Sequence, residues 1–203
     1  MNEIFNYFDE LFLNPKCELN FTKDYELLIA VMLSAQTTDK RVNEVTKVLF
    51  NKYPTLQALD LANIDDIKEI IKPIGTFNKK AEFVKSISKI LLEKFDGAVP
   101  KTHIELESIP GVGHKTANVV LGVLYNIPTF AVDTHVLRVS KRLGLAKSND
   151  DVISVEKKLK KLVPKERWIR THHQMVLFGR YYCKAVKPDC ENCKLSKICK
   201  REK

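Results

Sequence analysis

Apolar residues recur at three- and four-residue spacing along almost the whole chain, and no run alternates convincingly at period two. This predicts an all-α fold, because a helix buries a stripe of that spacing whereas a strand needs every second residue. Ile4, Phe5, Phe8 and Leu11 form one stripe ahead of Asn14-Pro15. Tyr25 to Leu33 is apolar nearly all round, the pattern of a helix covered on every side. Thr38 or Asp39 can cap the next helix, which carries Val42, Val45, Val48 and Leu49. Ile64, Ile67, Ile70 and Ile71 make a short helix before Pro73, and Ala81 to Phe95 line a longer one after Asn78. Thr102 caps a helix that Pro110 stops, and another runs from near Gly113 to Tyr125. Asp133 can cap a helix that ends at Gly144. Val155, Leu159, Leu162 and Val163 mark a lysine-rich helix, and Ile169 to Tyr182 the last long one.

The 203 residues suffice for one sizeable domain or two small ones, and 44% hydrophobic with 29% charged residues suits a folded chain. No stretch approaches about 20 uninterrupted apolar residues, so no membrane span is expected. Glu3, Asp9 and Glu10 interrupt the first 13 residues, which excludes a secretory leader there. The net charge of +9 suits a polyanionic partner, although charge alone also serves solubility.

Cys183, Cys190, Cys193 and Cys199 are spaced C-x6-C-x2-C-x5-C near the end of the chain. Four thiolates in one loop imply a soft metal centre. Structural zinc usually takes two close cysteine pairs, and only Cys190 and Cys193 form one here. The wider gaps favour an iron–sulfur cluster over zinc, which stays the alternative. Disulfides would need an oxidising compartment. Lys184, Lys187, Lys194, Lys197, Lys200 and Arg201 stud the same loop and tail, either as a solvated surface or as a rim for phosphates. Cys17 is assigned no role.

The segment Ile109-Pro110-Gly111-Val112-Gly113-His114-Lys115-Thr116-Ala117 lies between two apolar helices. Two glycines two apart permit a tight turn with positive φ and leave backbone N–H groups uncovered. The first N–H groups of the following helix are also free. Together they make a helix-hairpin-helix, which can cup a phosphate without reading sequence. An ordinary turn between helices is the plainer alternative. Lys115 falls in the first turn of the second helix, where the helix field disfavours its charge. A neutral amine there can form a Schiff base, whereas a charged one pairs with phosphate. Asp133 lies eighteen residues on, in Val132-Asp133-Thr134-His135. It reads as a helix cap, or as a carboxylate that stabilises positive charge developing at a sugar C1′. His135 can contact nucleic-acid backbone or fill a helix interface.

These segments together resemble the endonuclease III family of DNA glycosylases. The likeness extends to Leu33-Ser34-Ala35-Gln36-Thr37-Thr38-Asp39, to Ile74-Gly75-Thr76-Phe77-Asn78-Lys79-Lys80-Ala81, to His172-His173 and to Gly179-Arg180. It implies two helical lobes. One is a six-helix barrel over residues 22–131, with the hairpin at about 103–122. The other combines residues 1–21 with 132–203 and carries a [4Fe–4S] cluster on Cys183, Cys190, Cys193 and Cys199. It implies a bifunctional glycosylase and AP lyase, with Lys115 and Asp133 as the catalytic pair. Gln36, Gly111, Val112, Gly113, Thr116, His135, Lys184 and Lys187 would contact DNA, with Gln36 entering the vacated stack. The expected partner is double-stranded DNA with damaged bases or abasic sites, bound by a monomer in the cytoplasm at the nucleoid. Thr76 stands where the family often has a bulky apolar wedge, with Phe77 a substitute. His114 stands where a second basic residue is common. The rival readings are a mismatch adenine glycosylase, which has no lysine at the Lys115 position and is longer, a non-catalytic hairpin module, and an electron carrier.

Overall fold

The structure, a computed structural model, describes residues 1–200; Arg201 lies outside them. Among the described residues all regular structure is helical, as the periodicity predicts. In chain order the α-helices are α1 (Asn2–Leu11), α2 (Asp24–Leu33), α3 (Asp39–Lys52), α4 (Leu56–Leu61), α5 (Ile64–Ile71), α6 (Phe77–Lys94), α7 (His103–Glu107), α8 (His114–Tyr125), α9 (Thr134–Arg142), α10 (Val152–Leu162) and α11 (Trp168–Tyr181). Short 3-10 turns cover Lys165–Arg167 and Lys194–Lys197. No helix is long and apolar enough to cross a membrane among the described residues.

The chain divides into two compact units, residues 18–125 and residues 1–17 with 126–203. Residues 18–21 and 126–131 thus fall on the other side of the boundaries expected from sequence.

In the unit 18–125, α2 is the centre. Every residue from Tyr25 to Leu33 is buried, because α3, α6 and α8 pack around it. The Glu26 carboxylate closes its start by accepting from the N–H groups of Thr22 (2.7 Å) and Lys23 (3.2 Å). Thr38, not Asp39, caps α3, accepting from Arg41 N. α4 is an element the periodicity did not reveal. It has six residues and buries only Leu56 and Leu59, too little for a period to stand out. α6 begins at Phe77, earlier than Asn78 suggests, from a left-handed Thr76 (φ 55°). α7 packs on α8, and Thr102 caps it as expected.

The second unit is built on α11, which packs against α1 and α9. Phe178 meets Tyr7 and Phe8 at ring separations of 6.0 and 5.1 Å. Val136, Val139, Leu143, Val155, Leu159 and Met175 complete that core. Asp9 fixes α1, accepting from Arg167 (2.9 Å), Arg170 (3.0 Å) and Gln174 (2.8 Å). Burial would raise its pKa, but these donors outweigh burial and lower it.

Candidate functional site

The hairpin between α7 and α8 is shaped by one glycine rather than two. Gly111 has φ 85°, a region costly for any residue with a Cβ. Gly113 is not in that region, and a Cβ added there would meet nothing within 4 Å. Its service is openness, since the backbone there can be approached closely. Val112 is buried and donates its N–H to Ile109 O (3.0 Å), so its amide is engaged in the turn. The N–H groups of Gly111, Gly113, Lys115 and Thr116 have no intramolecular acceptor among the described residues. These donors, clustered in a turn and a helix start, form an anion cradle.

Lys115 and Thr116 are half-buried in the first turn of α8. No described residue forms a hydrogen bond or ion pair with the Lys115 ammonium. It is therefore not consumed by a structural carboxylate.

In the same unit, the loop after α2 presents Gln36. Gln36 is exposed and left-handed (φ 56°). A non-glycine residue persists in that conformation only where its surroundings impose it. Lys80, 4% exposed, does so. Its Nζ donates to Ala35 O (2.7 Å) and Thr37 Oγ1 (3.1 Å), on either side of Gln36. Burial lowers the Lys80 pKa. The sequence assigned Lys80 no role, because Lys79-Lys80 reads as a solvated pair. Thr76, exposed and left-handed, donates to Gly75 O (2.7 Å), and Phe77 beside it is half-buried.

Asp133, in the other unit, caps α9: its Oδ1 accepts from Val136 N at 2.8 Å. Its second oxygen has no hydrogen-bond partner among the described residues. The cap reading therefore holds without using up the carboxylate. His135 is half-buried and packs on α11, where a Cβ on Gly179 would lie 2.9 Å from His135 Cβ. Arg138 Nη2 approaches His135 Nδ1 at 3.2 Å and donates to Gly179 O at 2.7 Å. A guanidinium cannot accept, so His135 Nδ1 is the acceptor and Nε2 carries the proton of the neutral ring.

The four cysteines line one cavity of about 70 Å³ with Leu143, Phe178 and Pro188. No disulfide joins any cysteine among the described residues. Burial pushes the Cys193 thiol pKa up, and the sulfurs of Cys183, Cys199 and Cys190 add to that push. Four thiolates so close require a cation between them. Four cysteines around one cavity are a soft donor set that suits a thiolate-bound metal centre.

Arg142, which the sequence did not single out, holds the start of this loop. Its Nη1 donates to Lys184 O (2.7 Å) and reaches Cys183 O and Sγ (both 3.3 Å). Lys200 N returns a bond to Arg142 O at 2.7 Å. Lys184 and Lys187 are exposed, and Lys187 is left-handed (φ 49°).

Residues 29–165 match the family model described as the HhH-GPD superfamily base excision DNA repair protein. Endonuclease III of Bacillus subtilis is 46% identical over 191 residues, covering 94% of this chain and 87% of that one. The chain belongs to the endonuclease III family. Endonuclease III of Rickettsia felis is 48% identical over 200 residues, covering 98% of this chain and 93% of that one. Among solved structures, a trapped covalent intermediate of endonuclease III with DNA has a TM-score of 0.93 and 45% identity. It covers 98% of this chain and 96% of that one. The all-α fold and the family resemblance read from the motifs therefore hold.

Proposed function

We propose that this endonuclease III homologue is a bifunctional DNA glycosylase and AP lyase of base excision repair, acting on oxidised pyrimidines in duplex DNA. The observation that carries the reading is the hairpin: unsatisfied N–H donors and an unpaired lysine stand together in one turn and its helix start.

The hairpin amides of Gly111 and Gly113 hold a phosphate of the DNA strand. The damaged nucleotide turns out of the duplex, since its C1′ cannot be reached within the stack. Gln36, set in place by Lys80, enters the gap left behind. The Lys115 amine attacks C1′, the damaged base leaves with the C1′–N bond electrons, and a proton is lost from nitrogen. Asp133 supplies a carboxylate that stabilises positive charge as the bond breaks. The sugar ring then opens, the C1′–O4′ bond electrons leaving on O4′ as it takes a proton, and the imine so formed acidifies C2′–H. Loss of that proton expels the 3′ phosphate by β-elimination and cuts the strand.

The cysteine loop fits a [4Fe–4S] cluster held by Cys183, Cys190, Cys193 and Cys199. When bound, the cluster supplies the positive centre that lets four thiolates share one cavity. The loop then holds Lys184 and Lys187 as a basic rim toward phosphates. The protein works as a monomer, and its cellular place is with the chromosome in the cytoplasm.

The test is strand cleavage of a duplex carrying one oxidised pyrimidine. The reading expects cutting 3′ of the lesion by the wild type and none by Lys115→Ala, with duplex binding retained. Absence of wild-type cleavage across a panel of oxidised pyrimidines would refute it.

A further inference from the structure

His103, Glu107 and His114 come together on one side of the hairpin, and the reaction above uses none of them. His103 and Glu107 are one helical turn apart on α7, so they share a face. His114 opens α8, which the tight turn at Gly111 folds back against α7. Both imidazole Nδ1 atoms converge on one carboxylate oxygen, Glu107 Oε1, at 3.1 Å from His103 and 3.0 Å from His114. The two rings stack at 5.1 Å with 24° between their planes.

We propose that these three side chains form a zinc site. One ligand atom from each already lies within 4.8 Å of the other two. A tetrahedral zinc with Zn–N and Zn–O of about 2.0–2.1 Å sets its ligand atoms about 3.3–3.4 Å apart. The N···O separations lie within about 0.4 Å of that value. Glu107 and His114 are exposed and His103 is half-buried. Two imidazoles and a carboxylate select a borderline cation of the zinc class over calcium or magnesium, which prefer oxygen ligands alone. Three protein ligands leave the fourth position for water or another oxygen.

The placement gives the site a consequence that rests on the hairpin's holding phosphate. Glu107 with two neutral imidazoles carries one negative charge, and a divalent ion turns that into one positive charge. His114 directly follows Gly113, so the reversal happens beside the anion cradle. Zinc therefore tightens the grip on DNA.

The probe is zinc chloride, titrated calorimetrically into the full-length, cluster-loaded protein without DNA while the cluster's visible absorbance is followed. The wild type is expected to bind one zinc more than the double variant His103→Ala/His114→Ala, with absorbance unchanged. Loss of supporting groups alone costs metal sites 10–100-fold, so removing one ligand by Glu107→Gln should weaken this binding by about 100-fold or more. Identical isotherms for wild type and double variant, at matched helical content by circular dichroism, overturn the site. Duplex affinity is then measured with and without zinc. Tightening in the wild type alone supports the coupling, and an equal response in the double variant overturns it. Because the metal titration contains no DNA, its failure is distinct from failure of the DNA reading.

Discussion

Phe83 fills the space that any side chain on Gly111 would need: a Cβ there would stand 2.6 Å from Phe83 Cγ. The left-handed φ of Gly111 makes the same demand independently. Gly111→Ala should therefore destabilise the protein by about 2 kcal/mol through strain and overpacking. Gly113→Ala meets neither obstacle and should cost within about 1 kcal/mol as a poorer helix start. Both should weaken DNA binding, because both cover amides that the phosphate approaches. Denaturant unfolding and duplex binding of the pair separate the two roles. Equal destabilisation by both variants would contradict the assignment.

Asp133 has one oxygen on the α9 cap and one unengaged. Asparagine caps helices as well as aspartate does. Asp133→Asn should leave thermal stability nearly unchanged while base removal slows by about 100-fold or more. Single-turnover base release, set beside duplex affinity, checks this. Equal loss of both would make the carboxylate a structural cap.

His173 is buried in α11, and that burial lowers its pKa to about 4 from 6.5. Between these values the unfolded chain holds a proton that the folded one refuses. His173 therefore costs no stability above pH 6.5 and a growing amount as pH falls toward 4. The full loss is about 3 kcal/mol, reached below the folded pKa. Unfolding free energy measured from pH 7 to 4 should fall less steeply for His173→Phe than for wild type. Parallel curves would contradict it.

The four cysteines line one cavity, and their sequence gaps of six, two and five suit one loop wrapped around a centre larger than a single ion. Natively purified protein should be brown, with iron near four per chain, and Cys193→Ser should lose most of it. Arg142→Leu should keep the ligands but release iron to a chelator faster, because the strap on Cys183 and Lys184 is gone. Elemental analysis reads both. Stoichiometric zinc in the wild type would refute the assignment.

What the sequence yields depends on the range of the interaction. The hairpin and the cysteine loop are legible because their chemistry lies within a few consecutive residues. Helix α2 is legible because burial on all sides leaves no polar stripe. Helix α4 is not, since two buried leucines define no period. Lys80 and Arg142 are invisible for another reason. A lysine beside a lysine reads as surface, and an arginine in a last helical turn reads as a complement to the dipole. Only the fold brings one to the carbonyl beside Gln36 and the other to Cys183. The same holds for His103, Glu107 and His114, whose convergence needs the turn between their helices.

The central claim is that the Lys115 amine bonds to a deoxyribose carbon. Borohydride reduces an imine to a stable amine, so capture on a duplex with an oxidised pyrimidine measures that bond directly. The account predicts a covalent protein–DNA adduct for the wild type and none for Lys115→Ala. No adduct with the wild type, or equal capture of the variant, would contradict it.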